Sequence, residues 1–421
     1  MEPGGFKAVA SGLLPRYKAR SSAAVQPLPP ASPAPTPTRA IALLALAGFS
    51  GQAMVRAADS LLPQIAADIG VTVGAASIIV TAYAITHGSV QLVIGPIGDY
   101  FGKFRMVAVA CAFCALTVLA CGLAQSLTTL ALARIASGLT AAWIIPLGMA
   151  FIGDAVPYER RQQVLGRYLT GQITGQLFGQ AASGILGDLF GWRAVFFLLA
   201  AVFALVAVAL FRELAINPTT QPEQRAEERS KGLLADYSTV LSDPWARTML
   251  LAAVAEAALM WGAFAYVGAD LHLRFALSFT LVGLIVGTFG IGGLIYAALV
   301  PRLVGRFGQI GLATFGGLLV GAAYLVLALA PLWWIAPLAV IAIGLGFYML
   351  HNTLQVNATQ MSPARGTAVA LFSSALYVGQ SIGVAGGSLL IDHGGGPAIF
   401  IIAGLLLPVL GFWFAAMLRR R

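Results

Sequence analysis

Ionisable residues stranded in apolar sequence are where this chain could do chemistry. Glu256 lies in the run Leu250 to Met260, whose other members are all apolar. Burial penalises an ionised carboxylate, so a group of this kind can take up and release a proton as its access to water alternates. Arg134 sits about seven residues into another apolar segment, too deep for a casual surface charge, although its long side chain could reach outward. Arg56 and Asp59 are three residues apart, share one helix face and can pair. The alternative for all three is a salt bridge at a helix rim that only stabilises packing. His87 and His351 also fall inside apolar segments, and neither has metal-ligand spacing to other residues. A hydrated imidazole would titrate near neutral pH, whereas a neutral ring hydrogen-bonded to a neighbouring helix is the plainer reading.

Uncharged polar residues accompany them. Gln172, Gln176 and Gln180 recur every four residues and so face one direction, with Gln380 and Ser381 at the matched place later in the chain. They fit two roles equally: recognition of a solute, or adhesion between helices beside Gly171, Gly175, Gly179 and Gly184. His351, Asn352, Gln355, Asn357 and Gln360 make another segment too polar to contact lipid comfortably. Tyr83, Trp143 and Tyr266 are candidate aromatic walls, against the commoner role of packing or interface anchoring.

The elements that position these groups follow from composition. Of 421 residues, 59% are hydrophobic and 10% charged, against roughly a quarter charged in soluble domains. This excludes a soluble protein. At about 20 apolar residues per crossing, the sequence predicts an all-α polytopic membrane protein of twelve transmembrane helices. The spans fall near 40–60, 76–97, 105–124, 127–149, 164–188 and 192–211, then near 246–268, 278–300, 309–329, 333–358, 366–389 and 395–417. The expected organisation is a disordered tail over 1–39, six-helix bundles over 40–211 and 246–417, a linker over 212–245 and a short tail over 418–421. The proline-punctuated tail has no cleavage pattern of a signal peptide. Cys111, Cys114 and Cys121 share one apolar run and are expected to be small packing residues.

Charge sets the orientation. With the amino terminus in the cytoplasm, only Arg193 and Arg274 of the 25 Lys and Arg fall outside and Arg56 and Arg134 lie within spans, leaving the rest on the cytoplasmic side. The net charge of +9 is therefore topology, not a nucleic-acid footprint. Both termini are expected in the cytoplasm, and compact loops with alanine-rich composition suggest a bacterial inner (plasma) membrane. No phosphate-binding loop, dinucleotide fingerprint or HExxH site occurs, so neither cofactor, metal nor enzymatic activity is expected.

The two halves echo one another. Gly175, Gln176, Gly179 and Asp188 are matched by Gly379, Gln380, Gly383 and Asp392 at a constant offset of 204, and Gly102 is answered by Gly308. Such duplication implies a cavity between two pseudo-symmetric bundles.

At this point the chain resembles a known family. Gly95-Pro96-Ile97-Gly98-Asp99-Tyr100-Phe101-Gly102-Lys103-Phe104-Arg105 looks like the signature loop of the major facilitator superfamily. Leu132 to Gly138 resembles its arginine-bearing motif, and Gly175 through Gly184 to Arg193 is similar to the antiporter motif of its drug:proton branch. Tyr100, Gln180 and Ser183 depart from the usual arginine, proline and glycine. The resemblance implies that Asp99 is a latch holding the outward-facing state against the start of the eleventh helix, near Arg365 to Thr367. The glycines Gly95, Gly98 and Gly102 allow the tight loop and Lys103 completes it. It also implies proton coupling at Arg134. The resulting expectation is a monomeric secondary carrier that rocks about a midplane cavity among membrane lipids, exporting a small molecule in exchange for protons. Asp59, Arg134 and Glu256 are the coupling candidates. Arg56, Tyr83, His87, Gln172, Gln176, Tyr266, His351, Asn352 and Gln380 are the substrate candidates, and Gly175, Gly179 and Gly184 are packing residues. Uptake or facilitated movement of a sugar, nucleoside or organic ion is the alternative, and a sensor or scaffold the minor one.

Overall fold

Long apolar runs with few charges leave the backbone only one way to satisfy itself in lipid, and the chain is helical almost throughout. The computed structural model describes residues 37–221, 233–362 and 365–420. Nearly all of the expected amino-terminal tail and the middle of the linker lie outside the described residues. Among the described residues nine helical stretches are long and apolar enough to cross a membrane.

The first stretch runs through α1 (Thr38–Arg56), a 3-10 turn at Asp59–Leu61 and α2 (Leu62–Ile69). It extends beyond the predicted end near residue 60. Pro63 is tolerated in the first turn of α2, and Leu61, Leu62, Ile65 and Ala66 are buried, so the chain stays helical until left-handed Gly70 ends it. Thr72 caps α3 (Val73–Ala76), which leads into α4 (Ile78–Gln91) and α5 (Ile94–Phe101). Then come α6 (Lys103–Leu123), α7 (Leu127–Ala141) behind a Ser126/Thr129 capping box, α8 (Ile144–Ala155), α9 (Tyr158–Phe190) and α10 (Trp192–Ile216). The second half holds α11 (Leu233–Ser242), α12 (Pro244–Phe264) capped by Asp243, α13 (Val267–Phe275) and α14 (Phe279–Gly287) capped by Ser278. It ends with α15 (Phe289–Leu329), α16 (Ala336–Ala358) and α17 (Arg365–Arg419). Gly308 (φ 59°) and Gly395 (φ 68°) interrupt α15 and α17, each at the place where two spans were predicted to meet. Side chains with a Cβ avoid that left-handed backbone. The glutamine-bearing α9 is 33 residues long but falls outside the nine apolar stretches.

Close glycine packing builds the two halves alike. A Cβ on Gly175 or Gly179 would overlap the backbone of Phe49 or Ala53 in α1, and one on Gly379 or Gly383 would overlap Val254 or Ala258 in α12. The helix pairs α1–α9 and α12–α17 thus touch backbone to backbone. Gly184 instead packs across the halves, against Phe279 and Gly283 of α14.

The halves meet mainly at one end. There α9 packs on α14, α3 and α4 on α17, and the Asp59–Leu61 turn on α13 and α14. Two carboxylates stitch this end. Asp188 accepts hydrogen bonds from the amides of Phe279 (3.0 Å) and Thr280 (2.5 Å) at the start of α14. Asp392 accepts from the Gly74 amide (2.9 Å) and the Thr72 hydroxyl (2.6 Å) at the start of α3. At the opposite end α5 packs on α6 and α8 within its own half, where Lys103 bridges Asp99 (2.7 Å) and Asp154 (2.6 Å).

Candidate functional site

The sequence-predicted charges fall into three clusters inside this scaffold. In the first, Arg56 at the end of α1 donates to Asp59 (3.3 Å) and lies 3.5 Å from Gln380 Oε1 of the other half. Its guanidinium carbon lies 3.6 Å above the Trp261 ring, a cation–π contact that suits a weakly hydrated planar cation. Asp59 was expected at the membrane rim. Because α2 continues the stretch, it is buried instead, with Oδ1 lacking a hydrogen-bond partner.

Arg134 on α7 forms the second cluster and is 0% exposed. Its Nε donates to the Ile79 carbonyl at 3.2 Å, and its guanidinium carbon lies 4.3 Å from the Tyr83 ring. Among the described residues neither terminal nitrogen has a hydrogen-bond partner, nor do Tyr83 Oη and His87 Nδ1 nearby on α4. His87 packs at 5.4 Å from Tyr83 and at 4.2 Å from Tyr377 of α17, so these groups adjoin the seam between the halves.

The third cluster belongs to the second half. Glu256 Oε2 of α12 sits 2.9 Å from His351 Nδ1 of α16. The imidazole stacks on Phe347 at 4.7 Å, with Phe372 at 6.0 Å on α17. The Glu256 side chain is 1% exposed and that of His351 14%, so the histidine is the more accessible member of the pair. This geometry can hold a proton at a buried site and exchange it through the ring.

Gln172 and Gln176 are buried with unpartnered amide nitrogens, while Asn352 is only partly buried. Tyr266 is wholly buried at the seam, with its hydroxyl 2.6 Å from the Val384 carbonyl and 2.9 Å from Ser77 Oγ. Gly98 packs against Leu147 within its own half, and a Cβ on Gly95 would meet nothing within 4 Å. Two surface hollows lie elsewhere, lined by Phe307, Phe315 and Met349 and by Ala120, Leu132 and Ala133. Among the described residues no group of three His, Cys, Asp or Glu side chains could hold a metal ion.

Sequence reasoning missed Trp261 and Tyr377. Trp261 emerges only from the packing: the helix contacts match Phe49 and Ala53 of α1 to Val254 and Ala258 of α12 at an offset of 205, one more than the offset of the glycine motif, and this pairs Arg56 with Trp261. Tyr377 carries no comparable signal.

Helices of membrane-spanning length enclosing buried charges define a multi-pass integral membrane protein. Residues 44–367 match the profile of the Major Facilitator Superfamily, and the chain belongs to that family. It is a transporter, not an enzyme. The chain is 25% identical over 327 residues to the uncharacterized MFS-type transporter YceJ of Bacillus subtilis (strain 168), covering 77% of this chain and 82% of that one. It is 23% identical to a probable sugar efflux transporter of Helicobacter pylori (strain HPAG1), covering 84% and 88%. Its fold is similar to the crystal structure of the nucleoside transporter NupG (D323A mutant), with a TM-score of 0.73 at 14% identity, covering 90% of this chain and 99% of that one.

Proposed function

We propose that the protein is a proton-coupled secondary-active transporter of a small polar metabolite, working by alternating access. The observation that carries this reading is the Glu256–His351 pair, a buried carboxylate hydrogen-bonded to a more accessible imidazole. Counting α9, and taking α15 and α17 as two crossings each, gives twelve crossings in two six-helix bundles, 40–211 and 246–417. Lys103, Arg105, Arg160, Arg161, Arg302 and Arg306 support a cytoplasmic position for the Asp99 end and for both termini. The bundles then close outside, which describes an inward-facing arrangement. Asp99, whose ion pair among the described residues is with Lys103, acts as a latch when the opposite arrangement forms.

Solute class and direction are weighed together. Export through the drug:proton branch rests on the motif resemblance. The sugar efflux relative and the nucleoside-transporter neighbour support the alternative of a sugar, nucleoside or organic-ion carrier, and inward movement coupled to proton entry is its first reading. Outward movement is the second reading, favoured by the efflux relative.

Purified protein in vesicles, with and without an imposed proton gradient, tests the proposal against a panel of sugars, nucleosides, carboxylates and amines. The expected result is gradient-driven accumulation of one solute class. Glu256→Gln should lower that accumulation at least about tenfold, comparable to losing a general acid–base group, while sparing gradient-independent exchange. No flux for any solute overturns the proposal, and unchanged coupling in Glu256→Gln removes this proton site.

A further inference from the structure

Arg134 stands apart from the other two clusters. Arg56 is paired with Asp59, and Glu256 is hydrogen-bonded to His351. Arg134 makes no ion pair among the described residues, is wholly buried, and has Nη1 and Nη2 both unpartnered. A buried arginine without an anion is costly, and burial of charge is tolerated where a partner arrives.

Its surroundings fix it rather than satisfy it. The Nε bond to the Ile79 carbonyl and the Tyr83 ring beside the guanidinium restrain its plane, leaving the two terminal nitrogens as a free fork. That fork matches a carboxylate through two parallel charge-assisted hydrogen bonds, which a lysine cannot reproduce. The adjoining unpartnered groups, Tyr83 Oη and His87 Nδ1, can both donate. The field of Arg134 also reaches Asp59, whose Oδ1 is unpartnered, but no hydrogen bond joins them and Oδ2 is held by Arg56.

Resting on the transport reading above, we infer that the transported solute carries a carboxylate and that Arg134 is the residue that binds it. The proton then belongs to Glu256 and His351, and the role at Arg134 implied by the motif resemblance is replaced by solute binding. His87 packs on Tyr377 of the other half, so separation of the halves at that seam exposes the binding groups, and their reapproach encloses the solute.

Vesicle flux of matched pairs tests this: gluconate against gluconamide, nicotinate against nicotinamide and benzoate against benzamide, with uridine, glucose and benzylamine added. Gradient-driven flux restricted to carboxylates is the expected result. Arg134→Lys should then raise the half-saturating concentration at least about tenfold, the loss of a bidentate pair, while the melting temperature and exchange at saturating solute persist. Asp59→Asn should leave the preference for carboxylates intact. Flux of uridine, glucose, amides or benzylamine in preference to the acids overturns the inference and leaves the transport reading standing. An Arg134→Lys protein of unchanged half-saturation overturns it as well. Absence of flux for every solute overturns both.

Discussion

The two halves of the molecule share a skeleton and differ in chemistry. Gly175 and Gly179 against α1 correspond to Gly379 and Gly383 against α12, and Asp188 on the start of α14 corresponds to Asp392 on the start of α3. The charges are not repeated. At the 205-residue offset Arg56 corresponds to Trp261, Asp59 to Phe264 and Glu256 to Gly51. Duplication therefore preserves what lets helices approach and lets halves close, while each half carries charges that the other lacks. A carrier built this way can bind a solute largely through one half and a proton through the other, with rocking as the coupling step.

The shared skeleton is most easily broken at its tightest points. Gly179→Leu and Gly383→Leu should each abolish or nearly abolish folded protein. The obstacle to a Cβ is neighbouring backbone, so the cost exceeds the typical overpacking penalty of about 1–3 kcal/mol. Gly386, where a Cβ meets nothing within 4 Å, provides the control on the same helix. Recovery of monodisperse protein and its melting temperature measure the effect. Equal losses in the two halves sharpen the comparison; a tolerated Gly383→Leu beside a lethal Gly179→Leu breaks it.

How much of this was legible in sequence follows from the range of the interactions. The apolar stretches, the junctions at Gly308 and Gly395 and the matched glycines depend on local composition and a fixed offset, and each was readable. The depth of Asp59 was not, because it depends on α2 continuing past Pro63. Within the three interior clusters, the partner of a charge was readable for Arg56 and Asp59, three residues apart. Glu256 and His351 are separated by 95 positions, and Arg56 and Gln380 by 324. Periodicity places such residues on faces but does not say which faces meet. For Arg134 the informative feature is a pair of terminal nitrogens without hydrogen-bond partners among the described residues, visible only once the neighbours are in place.

A smaller effect is expected at the end where the halves close. A carboxylate at a helix amino terminus contributes about 0.3–1 kcal/mol when exposed, and Asp188 and Asp392 are both exposed. Asp188→Asn and Asp392→Asn should each shift the population away from closure at that end by about twofold to fivefold, and their sum should hold in the double variant because the sites use different helices. Spin-label distances across that end read the shift. A large effect from one and none from the other would break the symmetry of the stitch.

The smallest effect is expected at Asp99. It is half exposed and bonded to Lys103 four residues away, with Lys103 also held by Asp154. An exposed pair of this kind contributes about 0–1 kcal/mol, so Asp99→Asn should change the melting temperature of the present arrangement little. A latch acts in the other arrangement, where Asp99 would meet the start of α17. The variant should therefore lower the outward-facing population measured with trapped solute or spin labels, while leaving this state's stability nearly unchanged. Loss of stability here without any change in population would make Asp99 a local anchor of α5. The two ends would then differ in kind: paired carboxylate caps across the halves at one, and at the other a loop held within its own half.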